Sequence, residues 1–518
     1  MIKKELEKLV REAGKKAGLK LPCVLISASE YGDYSTQIAL SIKNNKKPGE
    51  NAVVIIKNLP QNKIIERAEE KNGFINFYLS NQFLGESVKE IIEEGESFGE
   101  NQNYKNKKIQ VEFVSANPTG PLHLGNARGG PLGDVIGRIL ESSGAKVERE
   151  FYVNDIGSQI KHFGETILYW QGSARSDKVD FPEKGYPGEY MKEIAAKVKP
   201  SDKVELLAKD GIKLMVKEMK SSLAKIGIEY DQFIYESEIL KSGKTEQVIK
   251  TLSDKGQSLV KKGAVWFGDS VLVRSDKNKT LTYFANDIAY HQDKFERGFE
   301  LVIDIWGANH HGHIKRLKEA VGAVGIEPER LKIILYQFVR LKHGDKIEKM
   351  AKREGTYVTA EQVLNAVGKN AFRMTMLLQS PNTHLDFDLE LAKKESKENP
   401  VYYLQYACAR IAGILRKQSA GSSQQAAVSL NNYESALIKE LIKFPDLISE
   451  ISQSYEVHHL PHYGISLAKK FHQFYKNCPV IKAENEEIKK SRLTLIKATQ
   501  TVLKNTLKIL GISAPNKM

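Results

Sequence analysis

The chain has 518 residues, 41% hydrophobic and 8% aromatic, a globular composition with room for about three or four domains and unlike a disordered chain. The formal charge of +14 fits a polyanionic partner, although a lysine-rich surface alone produces the same surplus. Three scattered cysteines (Cys23, Cys408, Cys478) without a CxxC exclude a disulfide framework and a thiolate zinc site, and no apolar run approaches the ~20 residues of a membrane span.

The opening MIKKELEKLVREAGKKAGLK is charged at helical spacing and lacks the apolar stretch of a signal peptide, so a reducing cytoplasm is expected. Residues 1–100 read as a small α+β domain, with AVVIIKNLP (Ala52–Pro60) and GFINFYLS (Gly73–Ser80) predicted as strands. A polar linker, Gly95–Lys108, leads to a strand over Ile109–Ala116, a glycine/proline loop NPTGPLHLGNARGG (Asn117–Gly130), a helix over Pro131–Gly144 and a strand over Val147–Asp155. That order begins a doubly wound α/β domain over 105–361. Residues from about 157 to 262 are helical and charged and read as an insertion in it. Strand patterns return at Ala264–Phe267, Val271–Ser275, Leu301–Gly307 and Lys332–Leu341, and complete the nucleotide-binding half. Residues 362–518 read as an all-helical domain, with Ser419–Ser429 a flexible low-complexity loop.

Ligands of doubly wound sheets bind at the carboxyl ends of the strands, where a glycine admits phosphate to the backbone and a helix N-terminus attracts it. His123 lies in such a loop, although a tight turn with a structural histidine reads equally well. The loop HGDKIEKMAKREG (His343–Gly355) gathers Lys349, Lys352 and Arg353, positive charge that suits a triphosphate or merely a solvated turn. Glu112, Asn117, Tyr283 and Asp287 sit near predicted strand ends, and two carboxylates in one cleft suit a guanidinium or ammonium ligand. GANHHGH (Gly307–His313) has three histidines in four residues but no HxxxH spacing or cysteine partner, so a substrate-cleft role is preferred to zinc and no protein-bound metal is expected. SGKT (Ser242–Thr245) lacks the earlier glycine of a P-loop, which would fall at Glu238.

Together these pieces resemble class I aminoacyl-tRNA synthetases, and specifically bacterial-type arginyl-tRNA synthetases. His123-Leu124-Gly125-Asn126 is similar to the HIGH motif of that class, and Lys349-Met350-Ala351-Lys352-Arg353 to its KMSKS motif. VEFVSANPTGPLHLGNARGGPLGDVIGRIL, REFYVNDIGSQI, TYFANDIAYHQDKFERGF, DIWGANHHGHIKRLK, NPVYYLQYACARI and the closing SRLTLIKATQTVLKNTLKILGISAPNKM carry the arginyl likeness, which covers essentially the whole chain. Two positions depart from the motifs: Asn126 replaces the second histidine and Ala351 the serine.

The resemblance implies a multidomain protein: an N-terminal α+β tRNA-contacting domain, a Rossmann-like catalytic core with a helical insertion, and an all-α anticodon-binding domain. It implies adenylation of arginine by ATP, with Mg²⁺ as the nucleotide's counterion, and transfer to tRNA(Arg). The implied catalytic residues are His123, Asn126, Lys349 and Lys352, with Pro118, Gly125 and Met350 also against ATP. Glu112, Asn117, His123, Tyr283, Asp287 and His310 are the implied arginine ligands. For tRNA they are Phe74 and Asn76, on one face of a strand, and Tyr406 and Arg410, which share a helix face with Tyr402. The expected state is a cytoplasmic monomer with no membrane contact, whose activation of arginine requires tRNA. On the residues alone two other readings stay open, a small-molecule nucleotidylyltransferase and a non-catalytic tRNA-binding paralogue.

Overall fold

The computed structural model describes residues 1–174, 180–277, 279–344, 346–348, 358–417 and 430–518. In α1 (Ile2–Lys16), Ile2, Leu6, Val10 and Ala13 recur every three or four residues and are buried, the stripe of an amphipathic helix. The strands β1 (Ser27–Ala28), β2 (Tyr34–Thr36), β3 (Ile65–Lys71) and β4 (Phe74–Leu79) form an antiparallel sheet in the order β1-β2-β4-β3. The predicted strand at Ala52–Pro60 is instead helical, α2 (Pro48–Lys57): Pro48 occupies its first turn, Ala52 and Ile55 face inward and Val53 outward. Proline at a helix start and a three-residue burial period outweigh the β-branched composition. Then α3 (Asn81–Glu94), capped by the Ser80 hydroxyl accepting from the Phe83 amide, leads into the core.

The catalytic half runs β5 (Lys108–Phe113), α4 (Leu124–Ala127), α5 (Gly129–Ser142), β6 (Lys146–Val153), α6 (Ser158–Ala174), α7 (Tyr190–Lys197), α8 (Val204–Ile226), β7 (Gln232–Tyr235), α9 (Glu236–Lys241) and α10 (Lys244–Asp254). The stretch read as an insertion is therefore interrupted: β7 pairs in parallel with β6 and belongs to the main sheet. Next come β8 (Leu259–Lys261), β9 (Ala264–Phe267) and β10 (Ser270–Val273), a separate antiparallel sheet rather than part of the nucleotide-binding sheet. Two-residue links, Lys262-Gly263 and Gly268-Asp269, explain the difference, since such links join only antiparallel neighbours and Lys262, Gly263 and Gly268 all have positive φ.

After α11 (Tyr283–Glu296), β11 (Leu301–Gly307), α12 (His311–Val324) and β12 (Leu331–Tyr336) complete a five-stranded parallel sheet ordered β12-β11-β5-β6-β7. Its centre, β5, is buried on both faces: Ile109, Val111 and Phe113 on one, Gln110 and Glu112 on the other. The run predicted as one strand over Lys332–Leu341 breaks at Gln337-Phe338, and β13 (Val339–His343) leaves to pair with β14 (Lys346–Glu348) and, in parallel, with β15 (Leu385–Asp388). So the region read as all-helical from 362 contributes one strand to the catalytic side.

The helices α13 (Ala360–Leu377), α14 (Leu389–Lys393), α15 (Pro400–Arg416), α16 (Asn432–Leu441), α17 (Phe444–Ser454), α18 (His459–Asn477) and α19 (Glu486–Leu510) form the C-terminal part. It docks on α5. Arg373 donates to the Leu510 carbonyl at 2.8 Å and to Asp134 of α5 at 2.5 Å, and Arg138 reaches the Lys508 carbonyl at 3.2 Å. Low-complexity Ser419–Ser429 lies outside the described residues.

Candidate active site and tRNA interface

The chain leaves β5 through Val114 (φ 69°) and Ser115 (φ 36°), left-handed conformations that are costly for a β-branched residue. The turn points the Ser115 hydroxyl back at Glu112 (2.8 Å), where it also accepts the Tyr152 amide of β6 (3.1 Å). His123 caps α4: its Nδ1 accepts from the Gly125 N–H at 2.9 Å, which places the ring hydrogen on Nε2. The backbone of this loop is stitched to residues 358–360, with Leu124 N–H donating to Val358 (3.1 Å) and Ala360 N–H to Leu122 (2.8 Å). Lys349, Met350 and Lys352 lie outside the described residues. Pro118 is buried, Gly125 and Asn126 are half-buried, and the Asn126 carbonyl lies 3.5 Å from the Tyr336 hydroxyl.

Arg128, at the root of α4, is wholly buried and, among the described residues, bonds only to carbonyls: Gln337 and Thr383 at 2.8 Å, Ser380 at 2.9 Å and Gln379 at 3.4 Å. It grips the point where β12 breaks and β13 begins. Burial lowers its pKa to about 10, so it stays a cation.

Across the sheet edge, α11 starts at Tyr283, which is 48% exposed and passes so close to Gly157 that a Cβ there would lie 1.6 Å from the phenol oxygen. Asp287, one turn on, sits 2.9 Å from His313 Nε2, and His313 Nδ1 accepts from Arg316. His310 is exposed on a single turn after β11, its ring 5.8 Å from that of Trp306. Asn117 is exposed and donates to Gln159 at 2.9 Å. Glu112 lies at the end of a buried polar network. Lys294 Nζ donates to Glu112 (2.6 Å) and Asp304 (2.8 Å), the Tyr290 hydroxyl lies 2.9 Å from Glu112 and 2.6 Å from Glu150, and Arg297 clasps Glu150. Burial pushes the Glu112 carboxyl above its usual range, opposed by the Lys294 ammonium. Burial also pulls Lys294 down, but Asp304 and Glu112 outweigh it and hold the ammonium protonated. Nearby, Glu236 is buried; Asn286 donates to one oxygen at 3.1 Å, and the other has no partner. Burial lifts its carboxyl to about 7, with Asp287 and Asp155 adding to the shift and Asn286 opposing it.

In the C-terminal part, Tyr402, Tyr406 and Arg410 do share a face of α15. The two rings stack at 6.4 Å, and the Arg410 guanidinium lies 5.1 Å from Tyr406 and 5.0 Å from Tyr475 of α18. With Lys397, Tyr403, His472 and Lys476 they line a groove of about 590 Å³. On β4, Phe74 is 38% exposed, whereas Asn76 is only 3% exposed and accepts from the Ser29 hydroxyl at 3.4 Å. The two do not stand open side by side as their spacing suggested.

The chain matches three protein families in succession: arginyl-tRNA synthetase N-terminal domain over residues 1–79, class I (R) tRNA synthetase catalytic domain over 87–385, and DALR anticodon-binding domain over 404–518. It is 40% identical to an arginine–tRNA ligase of Carboxydothermus hydrogenoformans, covering 94% of this chain and 92% of that one. The chain belongs to the arginyl-tRNA synthetase family. A relative from Geobacillus thermodenitrificans is 37% identical over 100% of this chain and 99% of its own. In fold the chain superposes on the Thermus thermophilus arginyl-tRNA synthetase with a TM-score of 0.82, at 22% identity and full coverage of both. For the Plasmodium falciparum arginyl-tRNA synthetase the TM-score is 0.78, at 20% identity, covering 100% of this chain and 99% of that one.

Several polar residues of the buried network around Glu112 were not singled out from this synthetase's sequence. Tyr290, His291, Lys294 and Arg297 continue the face begun by Tyr283 and Asp287 at helical spacing, so a polar stripe was readable in LTYFANDIAYHQDKFERGF. Arg128 and Glu236 had no such signal, because their partners are backbone carbonyls and residues distant in sequence.

Proposed function

We propose that this chain condenses arginine with ATP to arginyl-adenylate and transfers the arginyl group to the 3′ end of tRNA(Arg), with the guanidinium held by Asp287 and Glu112. The observation that carries the pocket is the meeting of these two carboxylates' elements, α11 and the end of β5, through one buried network at the carboxyl edge of the parallel sheet. Asn117, Tyr283 and His310 bound the same edge.

In the first step an arginine carboxylate oxygen bonds to the α-phosphorus and the bond to the β-phosphate breaks, releasing pyrophosphate. In the second, a ribose hydroxyl oxygen of the terminal tRNA nucleotide bonds to the arginyl carbonyl carbon, its proton is lost and AMP leaves. No protein nucleophile is required; positioning and stabilisation of phosphoryl charge do the chemistry. His123 Nε2–H and the Asn126 amide are suited to donate to phosphate oxygens, beside Pro118 and the Gly125 backbone. Lys349 and Lys352, with Met350 between them, supply charge from the second motif, and Mg²⁺ travels with the nucleotide. Phe74 and the groove of Tyr406 and Arg410 contact tRNA, and Asn76 of β4 joins them once the segment bearing Ser29 moves aside. We further infer a cytoplasmic monomer divided at about residues 100 and 362. Charging of total tRNA with each of the twenty amino acids tests the assignment: arginine alone should be esterified, and charging with another amino acid, or none, overturns it.

A further inference from the structure

His291 lies on α11 between the two carboxylates of the pocket and is 2% exposed. Its Nδ1 is 2.7 Å from the Asp287 carbonyl oxygen and its Nε2 is 2.7 Å from Asp304 Oδ2. A carbonyl oxygen can only accept, so Nδ1 must carry a hydrogen. Asp304 accepts as well. Burial raises its carboxyl, but the Lys294 ammonium outweighs burial and holds it below its usual range. Both ring nitrogens therefore face oxygen acceptors, an arrangement that a hydrogen on each nitrogen satisfies in full.

Charge accounting agrees. Glu112, Glu150 and Asp304 are buried carboxylates facing two cations, Lys294 and Arg297. A neutral His291 leaves one negative charge uncompensated in the interior; an imidazolium balances it. Glu148 and Asp293 also touch Arg297, but at the wetter rim, and Asp293 is shared with Lys244. Stability alone does not call for such a cluster, because a well-packed apolar substitute is commonly as stable as a buried ion pair. Its location is the informative part. Asp287 O, His291, Asp304, Lys294 and Glu112 form one unbroken hydrogen-bonded chain, running from the backbone carbonyl of the residue whose carboxylate is assigned to the guanidinium to the carboxylate of the other.

We propose that His291 is a positioning residue for arginine: as a buried imidazolium it ties the α11 turn bearing Asp287 to Asp304 and Lys294, and through them sets the distance and orientation of Asp287 relative to Glu112. This rests on the pocket reading above. A planar guanidinium needs its carboxylates fixed to a fraction of an ångström, and supporting hydrogen bonds supply that.

The test is steady-state aminoacylation, with tRNA present, by wild type, His291→Gln and Asp304→Asn. A glutamine amide nitrogen reaches only one of the two acceptors. KM for arginine should rise about 10–100-fold, as for loss of hydrogen bonds to charged groups, while KM for ATP changes little and preference for arginine over citrulline falls. An unchanged arginine KM, or an equal rise in both KM values, overturns the proposal. Asp287→Asn and Glu112→Gln are run in parallel. If neither raises the arginine KM, the pocket reading fails and this inference with it; if they do and His291→Gln does not, only this inference fails. Should the His291 and Asp304 variants not fold, ¹⁵N-histidine spectra of wild type decide: a slowly exchanging histidine with hydrogens on both ring nitrogens supports the proposal, and single tautomers throughout the slowly exchanging set overturn it.

Discussion

At the catalytic sheet Glu112, Glu150, Asp304 and Lys294 are buried and paired, whereas in the C-terminal groove aromatic rings stand at the surface with one guanidinium between them. Lys294, Asp304 and Glu150 are inaccessible and interlocked; Tyr406 is 38% exposed and meets its neighbours only through ring faces. The contrast fits the ligands proposed for each surface. A small cation with fixed hydrogens is discriminated by charges that cannot move. A base on a flexible polyanion is caught by a π-face that every base can use, so stacking gives affinity more than discrimination.

The sharpest way to break this comparison is citrulline, which keeps arginine's shape but puts a carbonyl oxygen where the guanidinium offers N–H. The wild type should prefer arginine by about 10⁴–10⁵ in kcat/KM, since the carboxylates are then left facing an acceptor. Asp287→Ala should erode most of that preference. Comparable use of both amino acids by the wild type would show that the pocket reads shape instead of charge.

Tyr406→Ala should cost less and in a different parameter. Losing one stacking surface is worth about 1–3 kcal/mol, or roughly 5–150-fold in KM for tRNA, with KM for arginine unaltered. If the loss appears in arginine KM or not at all, the groove is not a tRNA surface.

The smallest effect concerns Glu236. Its carboxyl rises from 4.5 to about 7 on folding, so the protonated form is favoured in the native state. That contribution is whole below pH 4.5 and is lost as pH climbs through 7. Glu236→Gln should therefore gain melting temperature relative to wild type between pH 5 and pH 8, by about 1–3 °C. A difference independent of pH would mean that Glu236 is ionised throughout.

The same contrast governs what was legible beforehand. The parallel core was readable because its strands are apolar runs separated by a glycine loop and helices. Tyr402, Tyr406 and Arg410 were readable because i,i+4 spacing alone puts them on one face. Helix α2 was misread since Val53, Val54, Ile55 and Ile56 satisfy a strand pattern, and only Pro48 and the burial period argue otherwise. The His291–Lys294 network was invisible as a network: Glu112 and Lys294 are 182 residues apart, and the parallel register of β5 against β11 sets Glu112 beside Asp304, where Lys294 reaches both. The lysine-rich motif contributes no geometry, because residues 349–357 lie outside those described.

Arg128 bears on how the enzyme should respond to its surroundings. Among the described residues it forms no ion pair, and four carbonyl oxygens solvate its charge in place of water. Mobile ions screen a charge held this way far less than one on the surface. The basic exterior enjoys no such insulation, and counterions compete for it at every concentration. A cell under osmotic stress would thus find two kinds of positive charge drifting apart, the buried one beside the glycine loop little altered by rising salt and the exterior's pull on a polyanion eroded by it.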